Sequence, residues 1–132
     1  MELEEAIYSE IVADATLSAK VDIGDGRYRI FPLRIPDGIP PALSLVYNEI
    51  TQSLTYPLVR SSRFQISCFA PTYEDARGMA NDLDRIFNDY SEGLLGGIGG
   101  FAVKYIKFVD RTSFYDEDGK MYAYYVELFI KF

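Results

Sequence analysis

Three carboxylates stand in a row at Asp116, Glu117 and Asp118, and the stretch from Gly93 to Gly100, "GLLGGIGG", holds half of the chain's ten glycines. These are the segments whose residue types could do chemistry. Clustered carboxylates supply the hard oxygen ligands that divalent cations take, and glycine-rich loops can cradle a phosphate with backbone N–H groups. Neither has the spacing its chemistry needs. The carboxylates are consecutive and lack the Asp-x-Asp-x-Asp-Gly alternation of a calcium loop, so "YDEDGK" reads as a solvated hairpin turn with Asp118-Gly119 as its tightest part. The glycines have neither Gly-x-Gly-x-x-Gly spacing nor a Gly-Lys-Ser/Thr ending. They also follow a helix instead of preceding one, so the negative end of the helix dipole would face the anion. The segment therefore reads as a C-cap at Gly93 and a pliable joint into the next strand, whose aliphatic residues Leu94, Leu95 and Ile98 a neighbouring subunit would cover.

The rest of the catalytic repertoire is sparse. With no histidine and Cys68 as the only cysteine, the chain can form no internal disulfide, no Cys/His zinc site and no Ser-His-Asp triad. Cys68 falls on the inward face of a strand and reads as a small buried hydrophobe, while Glu74 and Asp75 read as helix-capping residues instead of an acid/base pair. The expectation is a non-enzymatic protein without cofactor or metal. The net charge of -7 argues against a surface that grips nucleic acid through its phosphates. No apolar run approaches the roughly 20 residues of a membrane-spanning helix, and the acidic "MELEEAIYSE" is unlike a signal peptide, which predicts a cytoplasmic product.

Most elements can be read from periodicity. Leu3, Ile7 and Ile11 recur at helical spacing over Glu2 to Ala13, and a second short helix follows from Asp14, which caps it. "GDGRYRIFPLRIPDGIPPAL" is rich in glycine and proline and predicts ordered loop with a short strand near Tyr28 to Phe31. Alternation then predicts a strand from Ala42 to about Thr51 and another with Phe64, Ile66, Cys68 and Ala70 facing in, joined by a long tip from Gln52 to Ser62. The strongest helix begins after Thr72, with Ala76, Met79, Ala80, Leu83, Ile86, Phe87 and Tyr90 as its buried stripe and Asp82 among its outward residues. Phe101 to about Arg111 forms a strand with a bulge between Tyr105 and Ile106. Met121 to Phe132 closes the chain, its even positions from Tyr122 forming an unbroken apolar face. The 132 residues thus predict one α+β domain, a mostly antiparallel or mixed sheet with two helices packed on one face, in the order α-β-β-β-α-β-β.

Surfaces suited to a protein partner follow from this placement. On the outer face of the sheet, Phe69, Tyr125 and Phe129 sit among Arg63, Gln65, Glu127 and Lys131, a mixture of aromatic and charged groups that fits an interface. The hairpin tip presents Leu54, Tyr56, Leu58 and Arg60.

Four stretches, "ADATLSAKV", "RIFPLRIPDGIPPAL", "RFQISCFAPTYEDARGMANDL" and the closing "YDEDGKMYAYYVELFI", together resemble the small tail completion, or tail terminator, proteins of long-tailed bacteriophages and prophages. The strand, aromatic-Ala-Pro turn and alanine-rich helix of the third stretch are the most specific part. The resemblance implies a virion protein assembled in the host cytoplasm. It implies a homohexameric ring that caps the tail tube protein, ends tube polymerisation and offers a surface to the head-tail connector or stopper protein. DNA passes through its lumen without specific binding, for which an acidic wall such as Asp116 to Asp118 is suited. The alternatives are a head-side connector or stopper of the same junction and, from another class, a small nucleotide- or metal-dependent enzyme using the glycine segment and the acidic turn.

Overall fold

The computed structural model describes residues 2–38, 42–55, 59–88, 93–96 and 100–132, with residues 51–55 and Val59 described by backbone alone. Two helices open the chain, α1 (Leu3–Ala13) and α2 (Ala15–Val21), separated by Asp14. Asp14 stops the first helix and starts the second, because its carboxylate accepts the N–H of Leu17 at 2.9 Å in the N-cap geometry.

Three short strands follow where mostly loop was expected: β1 (Asp22–Gly24), β2 (Arg27–Tyr28) and β3 (Ile30–Pro32). Asp25 and Gly26, at φ 56° and 72°, both take the left-handed conformation that a two-residue hairpin turn between β1 and β2 requires. β3 pairs in parallel with β4 (Ser44–Thr55) through Ile30 to Leu45, Phe31 to Val46 and Pro32 to Tyr47. β4 then turns back into β5 (Val59–Ala70). The expected long tip is mostly ladder: pairing continues through Thr51 with Arg63 out to Thr55 with Val59, past a bulge at Ile50. Backbone bonds carry this extension, so the loss of side-chain alternation beyond Thr51 did not end the strand.

The five-stranded sheet has the order β3-β4-β5-β9-β8, where β8 is Tyr105–Asp116 and β9 is Met121–Lys131. Its β8 bulge falls at Val109, between Phe108 and Asp110, and not at the expected Tyr105 and Ile106. One face is covered by α1, α2 and α3 (Tyr73–Phe87), three helices among the described residues where two were expected, which confirms the α+β reading with a mixed sheet. Thr72 caps α3 by accepting the N–H of Asp75, and Ala76, Met79, Ala80, Leu83 and Phe87 bury against Phe64, Ile66, Cys68, Val126 and Leu128. Ile86 is only half-buried, and Tyr90 lies outside the described residues. Asp82, expected to face water, is 9% exposed and holds the Lys20 ammonium at 2.7 Å. Arg85 grips both oxygens of Asp14 at 2.7 and 2.8 Å, so charged contacts tie the α1–α2 junction to α3.

The glycine segment is the largest correction. α3 ends at Phe87 with Asn88 as its C-cap, and Gly93 opens a short strand, β6 (Gly93–Leu95), instead of capping the helix. β6 pairs antiparallel with β7 (Phe101–Val103). Leu95 is fully buried in the core, and the N–H of Gly96 donates to the Glu10 carboxylate of α1 at 2.7 Å. This end of the segment is anchored by its own chain, so Leu95 is a core residue and not a surface awaiting cover. Leu94 is 52% exposed, and Ile98 lies outside the described residues.

Candidate functional site

The helices cover one face of the sheet, and strand alternation sends a second set of side chains to the other face. Cross-strand register aligns that outer face in rows: Ser44 with Phe69, Val46 with Ser67 and Asn48 with Gln65 on β4 and β5, then Tyr125 beside Ser67 and Phe129 beside Arg63 on β9. A concavity of about 500 Å³ opens here. Val46, Ser67 and Phe69 line it from the sheet, Leu33 and Arg34 from the loop after β3, and Asp116, Met121 and Tyr125 from the β8–β9 hairpin. Leu33 is the most unusual wall residue, 78% exposed and held at φ 67°. An apolar side chain in that conformation is strained, and its N–H is tied to the Tyr47 carbonyl at 3.0 Å.

Of the residues singled out from sequence, Phe69 and Tyr125 therefore share one hollow, both half-buried. Burial raises the Tyr125 hydroxyl above its ordinary pKa, and nearby Asp116 adds to the rise. Phe114 packs on Tyr125 with ring centroids 4.6 Å apart. Arg63 and Phe129 lie further along the same face, where Arg63 pairs with Glu127 at 3.2 Å and Phe129 packs on Tyr105. The ammonium groups of Lys107 and Lys131 sit 5.4 and 5.7 Å from the Tyr105 ring, a basic corner on an acidic chain.

Arg60 stands elsewhere. Its backbone exchanges two hydrogen bonds with Phe132, and it lines a separate hollow with Glu2, Glu4 and Glu49 at the far end of the sheet. Leu54 pairs with Arg60 in the ladder, its side chain outside the described set, and Tyr56 and Leu58 also lie outside the described residues.

The acidic turn is built as a turn. Asp116 accepts the N–H groups of Asp118 and Gly119, each at 3.2 Å, which occupies one of its oxygens, while Glu117 and Asp118 face water. Among the described residues no group of three or more His, Cys, Asp or Glu side chains is placed to hold a metal ion. Cys68 is fully buried and burial pushes its thiol pKa far up, the opposite of an activated nucleophile. No helix among the described residues is long and apolar enough to cross a membrane.

A cluster at the top of the β8–β9 hairpin was not singled out from sequence. Tyr73, Tyr115 and Tyr122 are 43%, 47% and 36% exposed, with Tyr115 and Tyr122 rings 4.9 Å apart and Tyr73 edge-on to Tyr122 at 6.1 Å. The expected apolar face of β9 thus holds from Tyr124 to Ile130 and opens at Tyr122, because α3 starts at Tyr73 and leaves the hairpin end uncovered. The Tyr73 and Tyr124 hydroxyls share a hydrogen bond, and the Arg111 guanidinium stacks 4.9 Å from the Tyr124 ring.

This arrangement defines a class first: an α+β domain with one helix-covered sheet face and one open aromatic face. No family model and no curated protein matches the sequence. Among solved structures, the fold is similar to a chain of the "Virion of native gene transfer agent (GTA) particle", at 16% identity and a TM-score of 0.70, over 98% of this chain and 92% of that one.

Proposed function

We propose that the protein is a structural component of a virion with a phage-type tail. In this reading it forms a six-membered ring on the head-proximal end of the tail tube, ends tube polymerisation and presents the surface to which the head joins. The observation that carries the reading is the end-to-end fold likeness to a chain of the gene transfer agent virion, which joins the sequence resemblance to tail terminators. Open aromatic surfaces agree with a protein whose partners are other proteins. Tail tube protein and the connector or stopper are the partners in this reading. DNA would pass the ring without being held, consistent with the net charge of -7.

Deleting the gene tests the role. Overlong or irregular tails that fail to join filled heads are the expected outcome, whereas tails of normal length with normal virion yield would refute it. Incubating the purified protein separately with isolated heads and isolated tails decides its side of the junction. Binding to heads alone would replace the terminator by a head-side stopper.

A further inference from the structure

The sheet ends in two edges, and they match each other. β4, β5, β9 and β8 are successively antiparallel, so β8 runs opposite to β4. A second copy placed beyond β8 in the same orientation would offer its β4 edge antiparallel to β8. Most of that edge is open: β3 pairs only with Leu45 to Tyr47, and among the described residues no strand lies beside β4 from Asn48 to Thr55.

The register chains set the level at which the edges would meet. Thr51 pairs with Arg63, Arg63 with Phe129 and Phe129 with Lys107, so the open half of β4 stands level with the first half of β8. The strap formed by β3 stands level with Arg111 to Ser113 and does not obstruct it. Each edge carries one bulge, at Ile50 in β4 and at Val109 in β8, within about one residue of the same level. Both bulged residues are exposed aliphatics, Ile50 at 42% and Val109 at 44%. Bulges turn a sheet, which a closed ring needs, and solitary exposed aliphatics on two opposed edges find cover in each other.

Charge does not select the partner. Lys107 and Lys131 lie on the open face beside Tyr105, whereas Glu4 and Glu5 lie with Tyr47 on the helix-covered face, so these groups stand on opposite sides of the paired sheet. The contact rests on the two backbone edges, their matched level and the two exposed aliphatics.

We propose that the first half of β8 pairs antiparallel with the open half of β4 of the next copy, head to tail, with Val109 against Ile50. Repeating one heterologous contact generates a ring when the rotation closes. This inference rests on the ring reading above and names the contact that builds it.

The test uses two full-length variants, Val109→Cys and Ile50→Cys, each keeping the buried Cys68. They are mixed under mild oxidation, alone and on isolated tails, with native mass measurement in parallel. Thiols held side by side react at the high effective concentration of a fixed neighbour, so the mixture should give at least about tenfold more covalent dimer than either variant alone. Val109→Asp, at an exposed site, should keep the monomer's circular dichroism and lose assembly. Assembly without excess mixed dimer would overturn the edge contact and leave the ring reading standing. Efficient dimer from Val109→Cys alone would overturn it in favour of a two-fold β8 pairing. A chain that stays monomeric both alone and on tails would refute the ring, and this contact with it.

Discussion

Truncating Leu95 to Ala separates core from interface in the glycine segment. Leu95 is fully buried, on the short strand β6 that lies against α1, while its neighbour Leu94 is 52% exposed. Removing three buried carbons forfeits about 2 kcal/mol of transfer free energy at roughly 0.8 kcal/mol per methylene. Incomplete collapse around a void of roughly 50 Å³ adds about 1 kcal/mol at roughly 24 cal/mol per Å³. The expected loss is therefore about 3 kcal/mol, or a fall in Tm of about 10 °C for a domain of this size. Leu94→Ala should stay within about 0.5 kcal/mol, as exposed substitutions usually do. Urea unfolding followed by far-ultraviolet circular dichroism measures both in the monomer, and an assembly assay then asks what remains. If Leu95→Ala costs less than about 1 kcal/mol while the fold persists, the segment is not docked on α1 and the joint expected from its glycines returns.

Three further outcomes follow from single contacts. Asp14→Ala should cost about 1 kcal/mol at pH 7 through the lost cap of α2. The Arg85 guanidinium, and to a lesser extent the Leu17 N–H, hold its carboxyl below the ordinary 3.8. The wild-type advantage should therefore be full above about pH 4 and fade as pH falls below it, and an advantage that grows on acidification would contradict the pairing. Cys68 should react with a neutral thiol reagent at least about a hundredfold more slowly in the native chain than in urea, because reaction needs opening of the core; equal rates would mean that the site is open. In Gly119→Ala the new Cβ would stand 2.8 Å from Asp116 Oδ2, forcing the carboxylate out of its turn at a cost of about 1 kcal/mol, and an unchanged melting curve would show that the turn does not depend on it.

The elements legible in the sequence are those where side chains announce their own burial. α3 could be read because Thr72 caps a helix whose apolar stripe has no competing pattern, and β5 because Phe64, Ile66, Cys68 and Ala70 alternate strictly. β6 could not be, since three residues are too few to show a period and Leu95 is buried only because α1 lies over it. The Val109 bulge was misplaced because apolar residues occupy both parities, Tyr105 and Val109 against Ile106 and Phe108, and only pairing with β9 decides where the face changes. The Tyr73, Tyr115 and Tyr122 cluster was missed for a related reason: alternation assigns a residue to a face but not to the part of that face a helix covers. Phe69 and Tyr125 were correctly placed on the outer face, yet the hollow they share is completed by Leu33, from a loop whose path no periodicity reveals.

The exposed apolar groups differ in where they point, and this separates their uses. Ile50 and Val109 lie on opposite edges of the sheet within about one residue of the same level, so the proposed contact between copies would cover both at once. Leu33, Phe69 and Tyr125 line the open face, and Tyr73, Tyr115 and Tyr122 cluster at the hairpin end; neither group lies on the first half of β8 or the open half of β4. In the proposed ring, edge pairing leaves both surfaces uncovered. A ring at a junction needs two contacts of this kind, one for the tube it stops and one for the head it receives. Face and hairpin end have different chemistry, a concavity with a strained aliphatic wall against a cluster of three tyrosines, so two unlike partners can be held without competing for the same groups. Leu33→Asp and Tyr122→Asp should then abolish binding to different partners while leaving the ring intact, and loss of the same partner from both variants would collapse the two surfaces into one.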